Sequence, residues 1–110
     1  MKPDPLSMTL LLDQYGGLLT EKQRLYLDLH CNQDLSLAEI AENEGISRQG
    51  VHDALTRGEQ LLQQYEEKLG AVARTQARRK AVAELRELAA ETSEELRRRL
   101  LSLCDRLDDI

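Results

Sequence analysis

The stretch SLAEIAENEGISRQGVHDAL, residues 36–55, decides the fold of this 110-residue chain. Apolar residues recur at helical spacing on both sides of a short break, which predicts a helix, a tight turn and a second helix. Gly45 stands at the turn, where the backbone must take a left-handed conformation that glycine adopts without steric penalty. Ser47 is placed to cap the second helix. The pattern predicts a helix-turn-helix, whose second helix lies in the major groove when such motifs bind DNA.

The two predicted helices need a small shared core. Ala41 falls where the helices cross closely, because a larger side chain would push them apart. Ile46 is expected to fill the angle between the helices. Ile40, Val51 and Ala54 are expected to close the core.

Helical patterns extend on both sides of the motif, and no stretch predicts a strand. Thr20, Ser36 and Thr92 are each followed three residues later by Gln or Glu, which predicts three capping boxes and three helix starts. We therefore predict an all-α protein of five or six helices. It has a helix-turn-helix head domain at residues 1–69 and a C-terminal helical arm at residues 70–110.

Two features of the head are predicted from spacing alone. Leu25 and Leu29 repeat at helical spacing beside Tyr26 and are expected to face inward. Gly58 falls within the long fourth helix, where glycine costs about 1 kcal/mol relative to alanine. The sequence therefore leaves undecided whether this helix bends at Gly58.

Charge is distributed unevenly along the chain. Residues 1–58 hold five Lys or Arg and nine Asp or Glu, whereas residues 68–106 hold ten basic and six acidic residues. Because phosphate neutralisation supplies most non-specific affinity, the acidic head predicts weak binding to DNA in general. The basic arm is expected to contact phosphates of DNA or RNA, to dock on an acidic protein, or to form a solvated helix face.

Candidate nucleic-acid contacts fall on the second helix of the motif and on the arm. Arginine pairs with guanine and glutamine with adenine, whereas hydroxyl groups and other cations hold phosphates. The alternative is that the motif is only a scaffold for protein contacts. The predicted contact residues are Ser47, Arg48, Gln49, His52, Thr56, Arg57, Arg74, Arg78, Arg79 and Lys80.

The sequence contains no recognisable catalytic arrangement. It shows no nucleophile–base pair, no phosphate-binding glycine loop and no paired carboxylates, so we predict a protein that is not an enzyme and needs no cofactor. Cys31 and Cys104 lack metal-ligand spacing and are expected to be reduced thiols. The apolar stretch at residues 8–12 is too short to cross a membrane. A cytoplasmic protein without membrane insertion is expected.

The arm ends in an apolar seam. Its members lie at spacings of 4, 3, 4 and 3 residues, a heptad pattern about two heptads long. Packing on the chain's own helices and packing on a second copy both stay open, and a homodimer is the outcome that we expect. The seam consists of Leu96, Leu100, Leu103, Leu107 and Ile110.

Residues 10–70 resemble the YlxM family of small bacterial helix-turn-helix proteins. The matching pieces are LLTEKQRLYLDLH, SLAEIAE, ISRQGVHD and YEEKLG. The resemblance implies an all-helical fold like region 4 of sigma factors, a link to the signal recognition particle pathway, and no catalytic residues. The family's recognition helix falls on residues 47–57, so Arg48 and Gln49 carry over as contacts.

The chain departs from the family pattern at two positions. Glu44 stands where an apolar residue is usual, and Gly50 stands where alanine is often found. The expected function is that of a regulator acting with the signal recognition particle, through its RNA or one of its proteins. The alternatives are a sequence-specific transcriptional regulator and a protein–protein adaptor.

Overall fold

The computed structural model describes residues 5–110, which form six α-helices and one short 3₁₀ helix, with no strand among them. The all-α prediction is therefore confirmed. Residues 1–4 of the predicted head domain lie outside the described residues. The helices are α1 (Pro5–Tyr15), α2 (Glu21–Cys31), α3 (Leu37–Glu44), α4 (Arg48–Leu69), α5 (Ala71–Ala89) and α6 (Glu94–Asp108), and the 3₁₀ helix is Gly16–Leu18.

The chain divides into two compact units. The first ends at Val72 and is called the head unit; the second, Ala73–Ile110, is called the hairpin unit. In the head unit, α4 packs against each of α1, α2 and α3. The core is aliphatic apart from two tyrosines, as the scarcity of aromatic residues requires. Its buried members are Met8, Leu11, Leu12, Tyr15, Tyr26, Leu27, Ile40, Ala41, Val51, Leu55 and Leu62.

Two of the three predicted capping boxes are present. The Thr20 hydroxyl accepts from the Gln23 amide at 3.2 Å, and the Gln23 side chain accepts from the Thr20 amide at 3.1 Å. Ser36 and Glu39 exchange the same pair of bonds, each at 3.1 Å. These bonds hold the pKa of the Glu39 carboxyl below its ordinary value. Local sequence therefore determines where α2 and α3 begin.

The turn of the helix-turn-helix also forms as predicted. Gly45 has a φ of 68°, in the left-handed region, and its amide donates to the Ala41 carbonyl. The Ser47 hydroxyl accepts from the Gly50 amide at 3.0 Å and caps α4. Ile46, which was predicted to fill the angle between the helices, is 37% exposed and is therefore partly open to solvent.

The close packing of α2 and α4 bears on two further predictions. Helix α4 runs unbroken through Gly58, and the glycine has a packing role there. A Cβ atom at Gly58 would lie 2.7 Å from Cδ1 of Leu27, which is fully buried. The glycine therefore lets the two helices approach. Leu25, expected inside, is 41% exposed, because α2 turns Tyr26 and Leu27 toward the core instead.

A buried tyrosine ties α1 to the residues that follow α4 in the head unit. The Tyr15 hydroxyl donates to Glu66 Oε1 at 2.6 Å and accepts from the Ala71 amide at 3.0 Å. The same carboxylate oxygen accepts from the Val72 amide at 3.0 Å. Burial, followed by the Glu66 hydrogen bond, raises the pKa of Tyr15. These bonds satisfy amides at the start of α5 that lack helical partners.

The hairpin unit has a small interior and polar ties between its helices. Val82, Ala89 and Cys104 are buried. The Arg86 guanidinium contacts two carboxylates of α6, Asp105 at 2.9 Å and Asp108 at 2.7 Å. Helix α6 therefore runs back along α5.

The connection between α5 and α6 departs from the predicted capping box at Thr92. The Thr92 hydroxyl donates to the Ala89 carbonyl at 2.7 Å, so it closes the end of α5 instead of opening α6. Ser93 is the cap, and its hydroxyl accepts from the Leu96 amide at 3.4 Å. The Arg97 guanidinium adds a bond to the Ala90 carbonyl at 3.1 Å. The prediction was wrong by one residue because two adjacent hydroxyl residues compete for the position.

Candidate nucleic-acid interface

The first half of α4 presents a polar surface next to the turn. With 3.6 residues per turn, Val51 and Leu55 point into the core, Ala54 packs against its edge, and the polar residues point outward. This arrangement matches the recognition helix of a helix-turn-helix, whose first residues lie nearest the bases. The exposed residues are Arg48, Gln49, His52, Asp53, Thr56 and Arg57.

Internal contacts constrain some of these side chains. The side-chain amide of Gln49 donates to Asp53 Oδ1 at 2.8 Å, and His52 Nδ1 lies 3.7 Å from the same oxygen. Gln49 must therefore release Asp53 before it can pair fully with adenine. Arg48 and Arg57 form no ion pair with any residue in the part of the chain that the structure describes. Both guanidinium groups are available to a ligand.

A groove runs beside this surface, between the start of α2 and α4, and is called the α2–α4 groove. Its volume is about 670 Å³. The α2 residues on its wall were not predicted from sequence, because their proximity to α4 arises only from tertiary packing. The lining residues are Thr20, Lys22, Gln23, Tyr26, Ile46, Gly50, His52, Asp53, Ala54, Thr56, Arg57 and Gln60.

A second groove lies between α1 and α2 and has the opposite charge. It is lined by Asp13, Glu21 and Asp28, and Arg24 is the single cation among its described lining residues. The α2–α4 groove contains two cations, Lys22 and Arg57, against one acid. The head is acidic overall, but three of its carboxylates line a groove other than the one beside the recognition helix.

The predicted arm contacts differ in their accessibility. Arg74, Arg79 and Lys80 are exposed on α5. Arg78 is half-buried, and its guanidinium donates to the Ile110 carbonyl at 3.0 Å. Arg78 therefore contributes to the hairpin unit itself. Of the ten predicted contact residues, these four lie in the hairpin unit and six lie in the head unit.

The cysteines and acidic residues of the described chain form neither a disulfide nor a metal cluster. Cys31 and Cys104 are free thiols, and burial raises the pKa of the Cys31 thiol. Within residues 5–110, no three His, Cys, Asp or Glu side chains are grouped to hold a metal ion. No helix in that range is long and apolar enough to cross a membrane.

The protein is all-α, and its helices α3 and α4 are joined by a left-handed turn at Gly45 and a serine cap. The second of these helices exposes a polar surface. These features define a helix-turn-helix protein. The family profile of YlxM/p13-like helix-turn-helix proteins, UPF0122, matches residues 3–100. The chain belongs to this family, and the resemblance to YlxM is confirmed.

Several curated relatives support the same assignment. The chain is 51% identical over 87 residues to a UPF0122 protein of Caldanaerobacter subterraneus, covering 79% of this chain and 74% of the relative. It is 49% identical over 78 residues to one of Desulforamulus reducens, covering 71% and 67%. A Bacillus cereus relative is 48% identical over 84 residues, covering 76% of each chain.

Proposed function

We propose that this protein is a non-enzymatic regulator that binds nucleic acid through the first half of α4. The observation that carries the proposal is the row of exposed polar side chains next to the turn, with Arg48 and Arg57 unpaired within the described residues. Arg48 and Gln49 occupy positions from which side chains reach base edges. Ser47, Thr56 and Arg57 are placed to contact phosphates.

The proposed pathway is that of the signal recognition particle, in the cytoplasm. It is supported by the family resemblance, and a particle that contains RNA and protein suits a head with an acidic and a basic groove. The target is the particle RNA or one of its proteins. The exposed cations of α5, Arg74, Arg79 and Lys80, would supply phosphate contacts that raise affinity without selecting sequence.

Equilibrium binding of the full chain tests the proposal. Fluorescence anisotropy with random-sequence duplex DNA, selected duplex sites and signal recognition particle RNA should show affinity that falls between 50 and 200 mM salt. Arg48→Ala should weaken binding at a favoured site by about 1–3 kcal/mol. Arg24→Ala, which removes the same charge from the α1–α2 groove, is the matched control and should leave site preference unchanged.

The outcomes separate the three candidate functions. Preference for the particle RNA supports the pathway proposal, whereas strong preference for a selected duplex identifies a transcriptional regulator. No binding to any of these probes at 50 mM salt contradicts nucleic-acid binding. In that case the helix-turn-helix would be a scaffold for protein contacts.

A second candidate property, self-association, is favoured by the hairpin unit. Its α6 seam stays largely uncovered within the unit: Leu96 is 45%, Leu103 50% and Ile110 78% exposed. Leu103 and Ile110 line an apolar groove of about 530 Å³ together with Leu85 of α5. Because heptad spacing is self-complementary, we propose that the seam of a second copy covers this groove.

Light scattering of the full chain should therefore report a dimer, and Leu103→Glu should convert it to a monomer. Leu88→Glu is the matched control, because Leu88 is 58% exposed on α5 but does not line the groove. This variant should stay dimeric. A parent protein that is monomeric at high micromolar concentration would contradict self-association.

A further inference from the structure

The α2–α4 groove places a lysine of α2 beside the recognition helix. Lys22 and Glu21 are neighbours in sequence, but consecutive residues of a helix point about 100° apart. Lys22 consequently lines the α2–α4 groove, whereas Glu21 lines the acidic groove on the other side of α2. Lys22 is thus the charged residue of α2 that lines this groove.

The charges in the α2–α4 groove are available for an anionic ligand. Lys22 and Arg57 make no ion pair with any side chain of residues 5–110. The acid, Asp53, already accepts a hydrogen bond from the Gln49 side-chain amide at 2.8 Å, which occupies part of its hydrogen-bonding capacity. An anion entering the groove therefore meets two uncompensated cations and one carboxylate that is already hydrogen-bonded.

The remaining lining has the mixed chemistry that a sugar–phosphate chain requires. Exposed Ile46 and half-buried Ala54 provide apolar surface, which suits sugar carbons. Thr56 and Gln60 add neutral hydrogen-bonding groups to the α4 wall. Because exposed α4 residues such as His52 and Arg57 also line the groove, a strand contacted by that helix can continue into it.

We propose that the α2–α4 groove holds the sugar–phosphate backbone of a bound nucleic-acid strand, with Lys22 neutralising a phosphate opposite Arg57. The inference rests on the proposed function and extends its contact surface from the helix-turn-helix to α2. Lys22 thus fixes the position of the strand against the recognition helix without reading sequence. DNA and RNA share the phosphodiester chemistry, so both are probes in the test.

The test measures how binding by the full chain depends on salt concentration. The first probe is a random-sequence duplex of about two helical turns, and the second is a single-stranded RNA with as many nucleotides as one strand of that duplex. Removal of one phosphate contact lowers the slope of log K against log salt by about 0.9 for duplex DNA and about 0.7 for a single strand. Lys22→Ala should show one of these losses. Arg24→Ala, on the opposite side of α2, is the matched control and should leave the slope unchanged.

The slopes also distinguish the occupant of the groove. A loss of about 0.9 on the duplex alone assigns it to DNA, and a loss of about 0.7 on RNA alone assigns it to a single strand. Competition by poly-glutamate should be weak and equal for the parent and Lys22→Ala. Strong competition that Lys22→Ala abolishes would overturn the proposal in favour of an acidic peptide.

The remaining outcomes separate this inference from the proposed function. If Arg48→Ala weakens binding but Lys22→Ala and Arg24→Ala have equal slopes, the groove proposal is overturned while the function of α4 stands. If the parent binds neither probe at 50 mM salt, both proposals are overturned. Circular dichroism of each variant establishes that the helices are intact before binding is measured.

Discussion

The double variant Leu27→Ala/Gly58→Ala is expected to be about 1 kcal/mol more stable than Leu27→Ala alone, although Gly58→Ala by itself should destabilise the head unit. A Cβ at Gly58 meets Leu27 Cδ1 at 2.7 Å, and Leu27 is fully buried. Overpacking of this kind costs about 1–3 kcal/mol. We expect this cost to exceed the stabilisation of about 1 kcal/mol that alanine, relative to glycine, brings to a helix interior.

Truncation of Leu27 reverses the effect of Gly58→Ala on stability, from destabilising to stabilising. Leu27→Ala alone costs about 2–5 kcal/mol, because it leaves a cavity in the core. In that cavity the methyl group introduced by Gly58→Ala no longer collides with Cδ1, so only the favourable helix propensity of alanine remains. The interaction energy of the pair is therefore stabilising.

Urea unfolding, followed through the amide signals of Ile40 and Val51, measures the effect in the head unit. Leu62→Ala is the matched control: Leu62 is equally buried but is not among the atoms nearest to a Cβ at Gly58. On the Leu62→Ala background, Gly58→Ala should stay destabilising. Strict additivity in the Leu27 cycle would mean that Gly58 does not determine the approach of α2 and α4.

Arg79→Ala/Lys80→Ala is expected to weaken binding to duplex DNA and RNA about equally. Both side chains are exposed on α5, and two lost phosphate contacts should flatten the salt slope by roughly two units. At about 100 mM salt this corresponds to a loss of about 10- to 100-fold in affinity. Arg78 is left unchanged because its bond to the Ile110 carbonyl contributes to the hairpin unit.

The control exchanges the two charges without removing them. Arg79→Lys/Lys80→Arg keeps both cations and should retain the slope of the parent, because the contact is electrostatic. Anisotropy titrations from about 50 to 200 mM salt measure all three proteins. A slope that is identical in the alanine variant and the parent would show that this part of α5 is a solvated face.

Features fixed by neighbouring residues were predictable from sequence. The capping bonds of Thr20 and Ser36 and the left-handed turn at Gly45 each depend on side chains within a few positions, and the structure contains all of them. The position of the recognition helix follows from the same local pattern. At residues 92 and 93 two hydroxyl residues competed for one cap, and the local pattern did not distinguish them.

Features that depend on which helices pack together were not predictable. Gly58 suggested a bend from its propensity, but its actual role is contact with Leu27, which lies far from it in sequence. Leu25 fitted a helical stripe, yet the core lies on the side of Leu27. Lys22 became a candidate contact only because α2 packs beside α4. Net charge concealed the separation of acidic and basic grooves for the same reason.

The central claim is that the first half of α4, together with the α2–α4 groove, is the nucleic-acid surface of the head. Amide chemical-shift mapping of the full chain tests it most directly, with the more tightly bound of duplex DNA and signal recognition particle RNA as titrant. We predict the largest changes at residues 46–57 and 20–23. Changes confined to the acidic groove around Asp13 and Asp28, or no changes at saturating probe, would contradict the claim.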